Sequence, residues 1–145
     1  MSARVRRIGM TDWRSVVIGF LVITILGIVG LTLPGVGQLA AGLIGGFVAG
    51  YLAGGGLGRG FWHGLLAGAL GGLVAGVLVA LVVGVAGWAG GPIGGAISGL
   101  AGLGIFLVAL ALSFVMALES AIAGAIGGFF NSGSSSDPGA SGRRV

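Results

Sequence analysis

The stretch from Ser15 to Leu33 carries no charged residue. Wound as an α-helix at about 1.5 Å per residue, it reaches about 28 Å, close to the ~30 Å hydrocarbon core of a bilayer. The run is not alone. Residues 36–53 and 61–85 are equally free of formal charge, and residues 93–130 stay apolar apart from Glu119. Composition points the same way. Hydrophobic types make up 56%, glycine supplies 35 of 145 residues, and charged types are 7%, against about 25% in an ordinary soluble domain. This balance excludes a soluble globular domain and an intrinsically disordered one. Collagen is excluded because the glycines have no period of three and prolines number only 3. The remaining class is an all-α, polytopic membrane helical bundle of one small domain.

The expected organisation has three parts. Residues 1–14 form a basic arm, residues 15–130 a transmembrane domain, and residues 131–145 a disordered tail rich in serine, glycine and proline. The spans are placed at 15–33, 36–53, 61–85 and 103–130. Pro34-Gly35-Val36-Gly37 is a tight turn, Gly54 to Gly60 a loop, and Gly87 to Pro92 a break. Residues 86–118 fit a helix, a re-entrant segment or an extra span. The first run is longer than the apolar core of a signal peptide and no A-x-A site follows it, so it reads as a retained helix. Asp12 and Trp13 separate Arg6-Arg7 from the run, which speaks against a twin-arginine signal. Met10 is a second candidate start, which removes three arginines and leaves Arg14.

All the basic residues are arginines: Arg4, Arg6, Arg7, Arg14, Arg59, Arg143 and Arg144. With four spans they all fall on one side of the membrane, which the positive-inside rule makes the cytoplasm. Both termini are then cytoplasmic in a multi-pass protein of the cell membrane. Five spans would put Arg143 and Arg144 outside. The net charge of +4 does not point to nucleic acid, because the arginines sit at chain ends and in one loop without interleaved aromatics. Anionic lipid headgroups are the expected counter-charge.

The glycines are ordered. Gly42, Gly46, Gly50 and Gly54 recur every four residues, and so do Gly60, Gly64, Gly68, Gly72 and Gly76. Four residues advance about 400°, so each row runs as a smooth groove that drifts slowly around its helix. A groove without side chains lets a neighbouring backbone approach closely, which drives helix association in lipid. The partner is either a neighbouring span of the same chain or a second copy in a homo-oligomer. A weak tandem repeat of hairpins is also expected. Trp13-Arg14-Ser15-Val16-Val17-Ile18-Gly19 aligns with Trp62-His63-Gly64-Leu65-Leu66-Ala67-Gly68, and Gly42 to Phe47 aligns with Gly124 to Phe129.

Few residues offer chemistry. Cysteine is absent, and the single histidine, His63, builds no metal cluster alone, so no metal or cofactor is expected. Glu119 is the one ionisable residue far from any expected helix end. Counted from Phe130 it lies about 16 Å deep, near a bilayer midplane. There it reads as an intramembrane proton or ion site, with Ser113, Ser120 and Thr24 as polar neighbours. Alternatively, the repeat places it opposite Gly37, in the outer turn, where it would cap a short closing helix. His63 is read as an interfacial residue, with pH sensing as the alternative. Trp13, Trp62, Tyr51, Phe130 and Trp88 fit an aromatic belt. Gly54 to Gly60 lacks a Walker lysine and a preceding strand, so it is no phosphate loop. No Ser–His–Asp set is visible and no small-molecule substrate is suggested, so an enzyme is not expected.

The string Pro34-Gly35-Val36-Gly37-Gln38-Leu39-Ala40 through Ile44-Gly45-Gly46-Phe47-Val48-Ala49-Gly50-Tyr51-Leu52 is distinctive. With Trp13-Arg14 and Gly127-Gly128-Phe129, it resembles a family of small, glycine-rich haloarchaeal membrane proteins of unknown function, over about residues 12–131. The resemblance implies about four spans and no activity. One departure is the loop after Tyr51-Leu52, where members often carry acids and this chain has Arg59. The expected role is therefore structural or interaction-based, through glycine-zipper packing. The alternative is a small channel, holin-like pore or proton-coupled carrier centred on Glu119.

Overall fold

The computed structural model describes residues 11–33 and 35–132. It is all-helical. Helix α1 spans Trp13–Gly30, α2 Val36–Ala53 and α3 Leu57–Ala86; a 3-10 turn at Gly87–Gly90 leads into α4, Gly91–Ser132. Three stretches are long and apolar enough to cross a membrane: Trp13–Gly30, Val36–Ala53 and Leu57–Ser132, the last containing both α3 and α4. The basic-arm positions Arg4, Arg6 and Arg7, the second start Met10, Pro34, and the tail with Arg143 and Arg144 lie outside the described residues.

Local chemistry sets the helix ends. The Asp12 carboxylate accepts from the Arg14 N–H (3.1 Å) and the Ser15 hydroxyl (3.1 Å), capping α1 at its start. Gly54, Gly55 and Gly56 follow one another at φ 55°, 78° and 94°. Side-chain-bearing residues avoid that region, so three glycines turn the chain in the shortest space. The expected loop of Gly54 to Gly60 is thus shorter: α3 begins at Leu57, and Arg59 and Gly60 are helical. Gly91, at φ 77°, ends the 3-10 turn and opens α4. Pro92 sits in the first turn of α4, where its missing N–H costs nothing. The ambiguous segment 86–118 is therefore a tight turn followed by unbroken helix through 42 residues.

Helices α1 and α2 form one antiparallel hairpin, with Gly19 against Ala49 and Gly30 against Gly37. Helices α3 and α4 form a second. Gly60 faces Gly128, Gly68 faces Ala117, Gly76 faces Ala109 and Gly87 faces Ser98. The two hairpins point the same way, since α2 runs parallel to α4, with Gly46 against Ser120 and Gly50 against Gly124. Asp12, Gly54–Gly56, Arg59 and Ser132 thus gather at one end of the bundle.

The hairpins differ in length. At 18 residues each, α1 and α2 are about 27 Å long. At 30 residues α3 is about 45 Å long. The α1–α2 turn lies beside Leu78 and Val79, where Leu31 and Gln38 share a cleft with them. Beyond that level the close approaches of Gly87, Gly94, Gly95 and Gly102 are all to α3, α4 or the turn between them.

Candidate functional site

The interior is built from small side chains. Apart from Val16, the buried hydrophobic residues are alanines: Ala41, Ala49, Ala53, Ala67, Ala117, Ala121 and Ala123. The large ones face outward, with Ile25, Val82, Leu100 and Phe114 each more than 60% exposed. A water-soluble fold has the reverse arrangement.

Three helices meet most closely around Ser120 and Gly124 of α4. The Ser120 hydroxyl, 0% exposed, donates across to the Gly64 carbonyl of α3 at 2.9 Å. Gly46 of α2 lies against the same serine. A Cβ placed on Gly124 would sit 2.8 Å from the Gly64 Cα and 3.0 Å from the Gly46 carbonyl oxygen. Gly72 meets Ser113, and Gly76 meets the Ala109 Cβ at 3.1 Å. Two members of the expected rows stand apart from this seam. Gly42 has open space at its Cβ position and lines a cleft, and Gly54 turns the chain at the end of α2.

The counter-surface on α4 is the part that the glycine rows do not announce. Ser113, Ala117, Ser120, Gly124 and Gly127 are all buried. They alternate steps of four and three residues in mixed small types, so a search for repeated glycine passes over them. Smallness is the shared property, and the serines add hydroxyls that find backbone carbonyls.

Glu119 lies inside the long α4, twelve residues before Asn131, and is half-buried. It opens no helix, so the capping role that the repeat suggested does not hold. Among the described residues its carboxyl has no hydrogen-bond partner. The hydroxyls expected beside it are committed elsewhere. Ser120 donates to Gly64, Ser113 to the Ala109 carbonyl (2.6 Å), and Thr24 to the Phe20 carbonyl (2.9 Å). A cleft of about 350 Å³ opens between α1, α2 and α3, lined by Ile23, Thr24, Gln38, Gly42 and Gly71. Glu119 is not part of it. Among the described residues, no three histidine, aspartate or glutamate side chains converge.

The polar end of the bundle holds a tighter constellation. His63, 2% exposed, receives the Asp12 N–H at Nε2 (2.8 Å) and faces the Arg59 carbonyl with Nδ1 (2.7 Å). Trp62 donates its indole N–H to the Thr11 hydroxyl (3.3 Å), and Asn131 donates to the Tyr51 carbonyl (2.7 Å). The Ser15 hydroxyl bond, helped by backbone N–H groups, holds the Asp12 carboxyl below its ordinary range. Arg14 and Arg59 are exposed here, and Trp13, Tyr51, Trp62 and Phe130 ring the same end, while Trp88 marks the far one. The Asp12–His63 pairing joins residues 51 apart on different helices, so no sequence spacing could disclose it.

These helices carry a known pattern. The family model described as "Family of unknown function (DUF5518)" matches residues 13–130. The chain belongs to that family. The DUF5518 match opens at the first residue of α1 and closes two residues before the end of α4, so it takes in all four helices. The family description brings no activity with it. No curated protein and no solved structure matches the chain.

Proposed function

We propose that this DUF5518 protein is a four-span protein of the cell membrane, with both termini cytoplasmic, that acts as a structural or interaction element. The observation that carries this reading is the inverted distribution of side chains, with alanine, glycine and serine inside and leucine, isoleucine, valine and phenylalanine outside. In water such a surface would aggregate; in lipid it is the ordinary exterior. Helices in lipid gain nothing from burying leucine, so they associate through close backbone contact. The seam of Gly60, Gly64, Gly68 and Gly72 against Ser120, Gly124 and Ser113 supports that role for the glycines. The shared direction of the two hairpins supports reading them as a tandem pseudo-repeat. Arginine-only basic content supports a GC-rich, haloarchaeal source. The arginines pair with anionic headgroups, and a second copy of the chain is a further partner in this reading. The protein is not an enzyme in this reading.

A second reading, a small channel, holin-like pore or proton-coupled carrier, is favoured by one observation: among the described residues Glu119 has no hydrogen-bond partner in mid-helix. Against it, the hydroxyls of Ser113, Ser120 and Thr24 are bonded to backbone carbonyls rather than to Glu119. Purified protein in liposomes, wild type and Glu119→Gln, should both show background proton and cation flux. Flux by the wild type that Glu119→Gln abolishes would replace the structural role with transport.

A further inference from the structure

His63 is among the largest side chains fully enclosed by the bundle, and helix packing alone does not call for an imidazole there. Its surroundings define its chemical state. The Arg59 carbonyl, 2.7 Å from Nδ1, can only accept, so Nδ1 carries a hydrogen. The Asp12 N–H, 2.8 Å from Nε2, can only donate, so Nε2 carries a lone pair. The two partners select a neutral ring and one tautomer. They also tie the entry of α1 to the first turns of α3.

A proton from solvent has one place to go. It adds to Nε2, which then points an N–H at the N–H of Asp12, and the bond between the helices is lost. The Asp12 carboxylate belongs to the residue whose N–H meets Nε2. Its oxygens are already in use, Oδ1 by the Arg14 N–H and Oδ2 by the Ser15 hydroxyl. An imidazolium therefore competes with the helix cap for the same carboxylate.

We infer that His63 is a proton-operated latch between α1 and α3. The neutral ring holds Asp12 by its backbone while the Asp12 side chain caps α1. The imidazolium rejects the backbone N–H and draws the carboxylate to itself, so the first turn of α1 loses its cap and Thr11–Asp12 leave α3. The titratable and charged groups described at this end are Asp12 and Arg14 at the entry of α1, Tyr51 on α2 and Arg59 on α3; α4 contributes the neutral Asn131. The Asp12 carboxyl is held below its ordinary range, so mild acidification leaves it ionised. Loss of the latch on acidification is thus separate from loss of the cap's own charge. In sequence the latch follows the segment bearing Arg4, Arg6 and Arg7.

The test is amide hydrogen exchange of the full chain in lipid nanodiscs, from about pH 8 to about pH 5, where an imidazole changes charge. Rates are corrected for intrinsic pH dependence. Protection over Asp12–Val16 is expected to fall about tenfold in the wild type, with α2 and α4 unchanged. The variant His63→Gln, whose amide accepts and donates but does not titrate, should show no such fall. Protection independent of pH in the wild type, or an equal fall in His63→Gln, overturns the latch. Nitrogen chemical shifts of the wild-type ring decide the matter if the variant does not fold. A hydrogen on Nδ1 at high pH, titrating together with the Asp12 amide shift, supports the latch. A hydrogen on Nε2, or an Asp12 amide that ignores the ring, refutes it.

Discussion

Gly124→Ala is expected to destabilise the bundle by about 3 kcal/mol or more, at the upper end of what overpacking usually costs, whereas Gly104→Ala should be neutral or stabilising. Both glycines lie within α4 and both changes add one methyl group. Helix propensity alone favours alanine by up to about 1 kcal/mol at each. The difference lies in what the methyl meets. At Gly124 it meets the backbones of α3 and α2 at once, 2.8 Å from the Gly64 Cα and 3.0 Å from the Gly46 oxygen. Backbone cannot rotate aside as a side chain can, so two helix contacts must open together. At Gly104 nothing lies within 4 Å. Reversible unfolding in mixed micelles measures the pair. Equal stability of the two variants would mean that the close three-helix contact contributes little.

The second large effect is one of sidedness. Reporters fused after Val145 and inserted near Gly54–Gly56 should be active on the cytoplasmic side, and a reporter near Gly90 on the opposite side. The signal is close to all-or-none. It follows from the gathering of Asp12, Gly54–Gly56, Arg59 and Ser132 at one end, and from the tight turn at Gly87–Gly90 at the other. In the proposed topology Arg14 and Arg59 make the first end the cytoplasmic one under the positive-inside rule. A Val145 reporter on the same side as the Gly90 reporter would overturn the four-span arrangement.

The class of this protein was legible because it rests on sums. Uncharged runs of about the right length and a low charge fraction need no three-dimensional knowledge. Helix α2 at Val36–Ala53 lies between two glycine turns that mark its ends in the sequence. The α3 boundary was harder, because the glycines of Gly54 to Gly60 look alike in a string. Only Gly54, Gly55 and Gly56 adopt positive φ, while Gly58 and Gly60 are helical. The continuity of α4 was hidden for a related reason. Gly94, Gly95 and Gly99 lower helix propensity in an isolated peptide, but the turn braces the start of that stretch, with Gly94 against Gly87 and Gly95 against Trp88, and Ser98 donates to the Gly84 carbonyl of α3. At the polar end, Asp12 and His63 were each visible as boundary residues. Their bond depends on two helices starting level with each other, which no single stretch encodes.

The unequal hairpins have a consequence for the lipid around them. One flank, formed by α1 and α2, offers an oily wall of about 27 Å, near the thickness of a thin bilayer. The opposite flank, formed by α3 and α4, continues with Val82, Val85, Trp88, Ile93 and Ile97 all more than half exposed and no charge to stop it. No flat sheet of uniform thickness satisfies both walls of an upright molecule. In the proposed four-span topology the protein would lean, or lipids would stretch on one side of it. Either response gives the two flanks unequal demands on the surrounding lipid.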